Sequence, residues 1–147
     1  MVDQRTAPFG ALLLRVALGV MFLAHGLTKL LVFTPAGTAG FFQSLGLPGA
    51  LGYLTMAAEL LGGAALLAGF QVRLVSLAFV PLLLGTILFV HGANGWGFGN
   101  PGGGWEYPAF LTAAALVQAL LGPGAFALSW KGAKPGTHSG GISQRAV

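Results

Sequence analysis

The longest apolar run in the chain limits its possible folds more than any other feature. It extends from Phe9 to Leu31 and is built mainly from Leu, Val, Ala, Phe and Gly. As a helix, these roughly 23 residues span about 34 Å, enough to cross a hydrocarbon core of about 30 Å. The run also contains Arg15, His25 and Lys29, which helical periodicity places on one face. Because charged groups are costly inside a bilayer, we expect other helices to cover this face.

The scarcity of charge predicts an integral membrane protein. Of the 147 residues, 55% are hydrophobic and 7% are charged, whereas a soluble domain carries about 25% charged residues. The net charge of +4 comes from seven basic and three acidic residues without a basic cluster, which excludes nucleic-acid binding. The absence of cysteine excludes disulfides, thiolate metal sites and cysteine-ligated iron–sulfur clusters, and we expect no covalently attached cofactor.

The apolar segments predict an all-α integral membrane protein, an antiparallel bundle of four transmembrane helices. The helices are expected at about residues 9–31, 50–70, 74–91 and 107–128. Residues 1–8 form a polar leader. The apolar run that follows is too long for the core of a cleaved signal peptide, so the first segment is expected to be retained as a membrane helix. Residues 41–47 are apolar but too short to cross, and predict an interfacial helical turn. Residues 129–147 predict a disordered cytoplasmic tail, because they are polar and rich in Gly and Ser.

The distribution of basic residues predicts that both termini are cytoplasmic. This topology leaves only Lys29 outside and places five basic residues inside: Arg5, Arg73, Lys131, Lys134 and Arg145. It also places Trp96, Trp105 and Tyr107 at the outer boundary and Trp130 at the inner one, as in an aromatic belt.

Small residues at helical spacing predict where the helices touch. One stripe lies on each of the first three segments: Gly19 and Gly26; Gly52, Glu59 and Gly63; Ala78, Gly85 and Gly92. These stripes favour a compact left-handed bundle.

Glu59, near the middle of the second segment, is the residue whose position most strongly indicates a structural or functional role. A carboxylate at this depth should be protonated, paired or facing water. From its depth we expect Glu59 to face the bundle interior and to pair with Arg15 or His25. Three roles remain open: an ion pair that fixes helix register, a proton relay or ligand contact, and a neutral carboxyl bonded to the backbone.

A second group of polar residues falls at the outer ends of the helices. Lys29 and Glu106 are expected to pair there, with His25 one turn deeper. With His91, Asn94, Trp96 and Trp105 they are expected to form the mouth of a cavity that reaches Glu59 and Arg15. His91 has an alternative role as a solvated or capping residue. No pair of His or acidic residues has the spacing of metal ligands, so no metal site is predicted.

Three stretches resemble the DoxX family of small bacterial membrane proteins: LLLRVALGVMFLAHGLTKL, AELLGG and HGANGW…GGGWEYP. The resemblance covers about residues 9–128. It implies a four-helix protein of the inner membrane, related to the quinone-linked small subunit of thiosulfate oxidation. It further implies associations with redox and detoxification complexes.

These observations favour a membrane subunit that binds a quinone or a similar lipophilic redox molecule within the bundle. Its catalytic candidates are Glu59, His25 and His91. The ligand-binding candidates are Arg15, His25, Lys29, Glu59, His91, Asn94, Trp96, Trp105 and Glu106. Besides the lipid bilayer, the expected partner is a redox subunit or a second copy of the chain. Two alternatives are a non-catalytic assembly protein and, disfavoured by the absence of inverted repeats, a small-solute carrier.

Overall fold

The computed structural model describes residues 3–128, and this part of the chain is helical without strands. The predicted tail at residues 129–147 lies outside the described residues, as do residues 1–2 of the leader. The five α-helices are α1 (Ala7–Leu31), α2 (Pro35–Ser44), α3 (Ala50–Ala68), α4 (Val72–Thr86) and α5 (Glu106–Leu121). Beyond α4 the helical path continues through a π turn (Ile87–His91) and a 3-10 turn (Gly92–Asn94).

Proline and glycine set the helix ends. Pro8 lies in the first turn of α1, where its missing N–H costs nothing, and α1 begins two residues before the expected start. Gly69, with φ 75°, ends α3. The fourth long helix was expected to run to residue 128, and this is wrong. It ends at Leu121, because Gly122 has φ 82° and Pro123 follows.

The short helix α2 packs across the ends of α1 and α3. Its N-cap is Thr34, whose hydroxyl accepts a hydrogen bond from the Gly37 amide at 3.2 Å. Buried Thr38 donates from its hydroxyl to the carbonyl of Lys29. The helix therefore begins six residues before the predicted turn at 41–47 and ends within it.

Glycine lets α1 and α3 approach closely. A Cβ atom on Gly63 would lie 2.7 Å from the Leu23 nitrogen, and one on Gly26 would lie 3.0 Å from the Leu60 nitrogen. The predicted contact stripes on these two helices are thus confirmed at their glycines. These contacts also show that α1 and α3 are antiparallel.

The stripe predicted on the third segment is wrong. Ala78 and Gly92 are exposed, and a Cβ atom on Gly85 would meet nothing within 4 Å. The buried face of α4 carries larger residues: Val72, Ser76, Phe79 and Leu83. The helical spacing of the small residues indicated a possible contact stripe, but the neighbouring helices pack against a different face of α4.

A compact apolar core around two phenylalanine rings separates the two ends of the bundle. The rings of Phe22 and Phe79 stack in parallel with centroids 3.5 Å apart, and Leu66 and Ala115 beside them are fully buried. We call the end where α1 begins and α5 finishes the terminal end. The opposite end, where α1 finishes and α5 begins, is the far end.

Three helical segments are long and apolar enough to cross a membrane: Ala7–Leu31, Ala50–Ala68 and Val72–Asn94. At 16 residues, α5 spans about 24 Å and is shorter than a bilayer core. Large apolar side chains nevertheless point outward from all four long helices, for example Leu13, Leu61, Leu74 and Leu120. This apolar exterior fits contact with lipid.

Candidate functional site

An open cavity of about 1070 Å³ lies at the far end of the bundle. One wall comes from His25 on α1, a second from the loop between α4 and α5, and a third from the first two turns of α5. The lining residues are His25, Trp96, Phe98, Glu106, Tyr107, Ala109 and Phe110. The cavity is thus mainly aromatic, with a few polar groups that could orient a ligand.

The glycine-rich loop is fixed by side chains at the end of α4. The Asn94 amide donates to the carbonyls of Val90, Gly102 and Gly103. His91 Nδ1 lies 2.9 Å from the same Gly103 oxygen and donates to it. Gly102 and Gly103 both have positive φ, which glycine adopts freely. His91 and Asn94 therefore hold the loop, and neither lines the cavity.

The loop positions an aromatic frame. Trp96 and Trp105 make an edge-to-face contact with centroids 4.5 Å apart. Only Trp96 lines the cavity, and Trp105 supports it from behind. The Phe98 ring lies 6.0 Å from that of Tyr107. These edge-to-face contacts join the rings of the loop to one another and to α5.

Glu106 does not pair with Lys29, and that prediction is wrong. Its Oε1 accepts a hydrogen bond from the Phe98 amide at 2.7 Å. The carboxylate also lies in the first turn of α5, where the helix dipole favours a negative charge. Glu106 thus ties the loop to α5.

Two side chains at the cavity, Tyr107 and His25, have hydrogen-bonding groups without a strong partner in the described part of the chain. The Tyr107 hydroxyl donates to the thioether sulfur of Met21, which is a weak acceptor. The His25 ring lies 6.5 Å from the Tyr107 ring, and within residues 3–128 the imidazole has no hydrogen-bond partner. A ligand carbonyl would be a better acceptor for both groups.

Glu59 faces the bundle interior but pairs with Lys29, not with Arg15 or His25 as predicted. Lys29 Nζ donates to Glu59 Oε1 at 2.8 Å, and the two side chains are 19% and 5% exposed. Helical side chains lean toward their own N-terminus. Since α1 and α3 are antiparallel, the Lys29 side chain leans toward the middle of the bundle and the Glu59 side chain leans toward the far end. The two charged groups therefore meet at a level between the two Cα atoms. Neither residue lines the cavity.

Arg15 is buried at the terminal end, far from the cavity lining. Its guanidinium donates to the carbonyls of Pro123, at 2.7 Å, and Phe126, at 3.4 Å. The cavity was expected to reach down to Arg15 and Glu59, and this is wrong. The stacked rings of Phe22 and Phe79 fill the middle of the bundle. Among residues 3–128, no three His, Asp or Glu side chains come together as metal ligands.

Comparison with known proteins places this arrangement in a family. The DoxX family model matches residues 10–92, more than half of the chain. This chain belongs to the DoxX family. The matched part includes His25, Lys29 and Glu59, whereas the loop and α5 lie beyond it. Together with the three long apolar helices, membership makes the DoxX chain a multi-pass protein of the bacterial inner membrane.

Two curated relatives extend along most of the DoxX chain. "Putative oxidoreductase CatD" of Bacillus subtilis (strain 168) is 38% identical, over 92% of this chain and 98% of its own length. "Inner membrane protein YqjF" of Escherichia coli (strain K12) is 28% identical, over 81% of this chain and 88% of its own length. No solved structure matches this chain.

Sequence reasoning missed four members of the cavity lining: Phe98, Tyr107, Ala109 and Phe110. Tyr107 was interpreted as part of an aromatic belt, and Phe98 and Phe110 were not singled out. The spacing of Tyr107 and Phe110, three residues apart at the start of one helix, predicts a shared face. Phe98 carried no such signal, because its position depends on how the glycine-rich loop folds.

Proposed function

We propose that this DoxX protein is a membrane subunit of a redox system and binds a quinone, or a similar lipophilic redox molecule, in the far-end cavity. The observation that supports the proposal most is that His25 and Tyr107 both line the cavity, with ring centroids 6.5 Å apart, within an aromatic frame. Both offer hydrogen bonds that no strong acceptor within residues 3–128 occupies. The oxidoreductase name of the Bacillus subtilis relative supports the redox class.

The cavity has the chemistry that a quinone ring needs. Trp96, Phe98 and Phe110 provide faces and edges for a flat ring. Tyr107 and His25 donate to a carbonyl oxygen. Reduction of a quinone to a quinol takes two electrons and two protons, and an imidazole exchanges protons near neutral pH. The electrons would be exchanged with a partner subunit, while His25 handles protons at the ligand oxygen.

The proposal includes four membrane crossings with both termini in the cytoplasm. α5 runs antiparallel to α4, as shown by the bonds from Arg73 at the start of α4 to Ala119 and Leu120 at the end of α5. In this arrangement residues 122–128, which follow α5, extend the path of a helix too short to cross alone. The cavity then opens toward the outer face.

Tryptophan fluorescence tests the ligand proposal. In a Trp130→Phe background, the two remaining tryptophans of the sequence are Trp96 and Trp105. A short-chain ubiquinone should quench them saturably. Tyr107→Phe and His25→Ala should each weaken binding about tenfold, because each removes one hydrogen bond worth about 1–1.5 kcal/mol.

Matched controls are available in the same chain. Tyr53→Phe removes the other tyrosine hydroxyl of the sequence, from the exposed start of α3. His138→Ala removes a histidine outside the described residues. Both should keep the original affinity. Quenching that never saturates, or that all four variants leave unchanged, would indicate partition into detergent and contradict a site.

A second candidate function is a non-catalytic assembly protein. It is favoured because several predicted ligand-binding residues are bonded within their own chain: Arg15, Lys29, Glu59, His91 and Asn94. Under this function the protein co-purifies in fixed ratio with another membrane subunit, and Tyr107→Phe with His25→Ala changes neither that ratio nor the activity of the complex.

A further inference from the structure

The far-end cavity contains one polar group to which the proposed function gives no role, the carboxylate of Glu106. This residue lines the cavity together with His25 and Tyr107. Its Oε1 accepts a hydrogen bond from the Phe98 amide at 2.7 Å. Its second oxygen, Oε2, has no hydrogen-bond or ion-pair partner within residues 3–128. An ionised carboxylate only accepts hydrogen bonds, so this oxygen can take one from a ligand.

Measured contacts hold the Glu106 carboxylate close to the two hydrogen-bond donors of the cavity. Phe98 joins them, because its amide binds Glu106 and its ring lies 6.0 Å from that of Tyr107. The Tyr107 ring lies in turn 6.5 Å from the His25 ring. The Glu106 amide also donates to the Trp96 carbonyl at 3.0 Å, which fixes the start of α5 against the loop. The cavity therefore presents two donors and one charged acceptor to the same space.

This set of polar groups distinguishes the two redox forms of a quinone. The oxygens of the oxidised form are carbonyls, which only accept hydrogen bonds and whose lone pairs repel a carboxylate. The oxygens of the quinol are hydroxyls, and a hydroxyl donates to a carboxylate in a charge-assisted hydrogen bond. Since a hydroxyl also accepts, Tyr107 and His25 can bind either form. Only the reduced form gains from Glu106.

We propose that Glu106 makes the far-end cavity selective for the reduced, hydroxyl-bearing form of its ligand, with Oε2 accepting a hydrogen bond from a quinol hydroxyl. The inference rests on the proposed quinone site and adds the redox form that this site prefers. The hydrogen bond that only the quinol makes should tighten its binding about tenfold relative to the quinone.

A preference for the quinol changes the electron chemistry of the bound ligand. Tighter binding of the reduced form raises the midpoint potential of the bound couple above that of the free couple. For a two-electron couple, a tenfold preference corresponds to about 30 mV. Bound quinone is then a better electron acceptor than free quinone. The reaction class that suits this site is therefore the oxidation of a partner's substrate, with the quinone accepting the electrons.

A purely structural role of Glu106 predicts a different result. In that role only the bond from the Phe98 amide to Oε1 matters, and the two redox forms bind equally well. The measured ratio of the two affinities thus separates a ligand-binding carboxylate from one that only holds the loop.

Anaerobic titration calorimetry of the full-length protein in detergent tests the preference. The three ligands are a short-chain ubiquinone, the corresponding ubiquinol, and the ether in which both hydroxyls of that quinol are methylated. The quinol should bind about tenfold tighter than the quinone, and the ether no tighter than the quinone. If the quinol binds no tighter than the quinone or the ether, the preference is overturned and the quinone site stands. If none of the three binds, the site and its preference are both overturned.

A conservative variant assigns the preference to Oε2. In Glu106→Gln the side-chain carbonyl can still accept from the Phe98 amide, so the loop should stay attached, while an NH₂ donor replaces Oε2. Quinol affinity should fall about tenfold and quinone affinity should not fall. Asp3→Asn is the matched control, because the exposed Asp3 also accepts one backbone N–H, from Arg5 at 2.8 Å, and lies outside the cavity lining. A preference that persists in Glu106→Gln, or that disappears in Asp3→Asn, would contradict the assignment.

Discussion

At the scale of single residues, the Lys29–Glu59 pair decides how α1 meets α3. Both side chains are largely removed from solvent, so removing one partner leaves a charge buried and unpaired. Glu59→Gln should therefore lower the free energy of unfolding by about 3–5 kcal/mol. The double variant Lys29→Met, Glu59→Leu should recover most of the loss, because it removes both charges. Unfolding in detergent measures both effects.

The same pair separates stability from ligand binding. Neither residue lines the far-end cavity, so the double variant should bind a short-chain quinone with unchanged affinity. A tenfold loss of affinity in this variant, with its fold retained, would show that the pair contacts the ligand. That result would contradict the position of the site.

At the scale of helices, the glycines of α1 and α3 are contact points. Gly63→Ala should destabilise the protein by about 1–3 kcal/mol, because the new Cβ would press on the Leu23 backbone. Gly85→Ala is the matched control, since its Cβ meets nothing within 4 Å. It should be neutral or stabilise by up to about 1 kcal/mol through better helix propensity. Equal losses in both variants would contradict the close packing of α1 on α3.

Helix existence was predictable because long apolar runs admit few other structures in a membrane. The end of α5 was also readable, since Gly122 and Pro123 are a helix stop signal. The ion-pair partner of Glu59 could not be predicted from the depth of the residues along the helix axis. Depth does not include the length of the Lys29 side chain or the direction in which helical side chains lean. The cavity lining could not be predicted either. It depends on hydrogen bonds from the Asn94 side chain to the Gly102 and Gly103 carbonyls across a loop, and residue spacing does not indicate such bonds.

At the scale of the whole molecule, topology determines which side of the membrane the cavity faces. A cytoplasm-active fluorescent reporter fused after Val147 should be active, because four crossings return the chain to the side on which it began. A reporter active only outside the cytoplasm, inserted at Gly99 in the exposed loop, should also be active. Activity of the second reporter at Val147 would mean that α5 does not cross, and would contradict the four-helix topology.

The proposed quinone site lies in the far-end cavity between α1 and α5. Photolabelling with an azido-quinone, followed by peptide mapping, tests this position. We expect the label on residues 95–110 or at His25, and we expect excess unlabelled short-chain ubiquinone to remove it. Tyr107→Phe should reduce the labelling, while Tyr53→Phe should leave it unchanged. Labelling confined to lipid-facing positions such as Leu13 and Leu61, and insensitive to competing quinone, would contradict the claim.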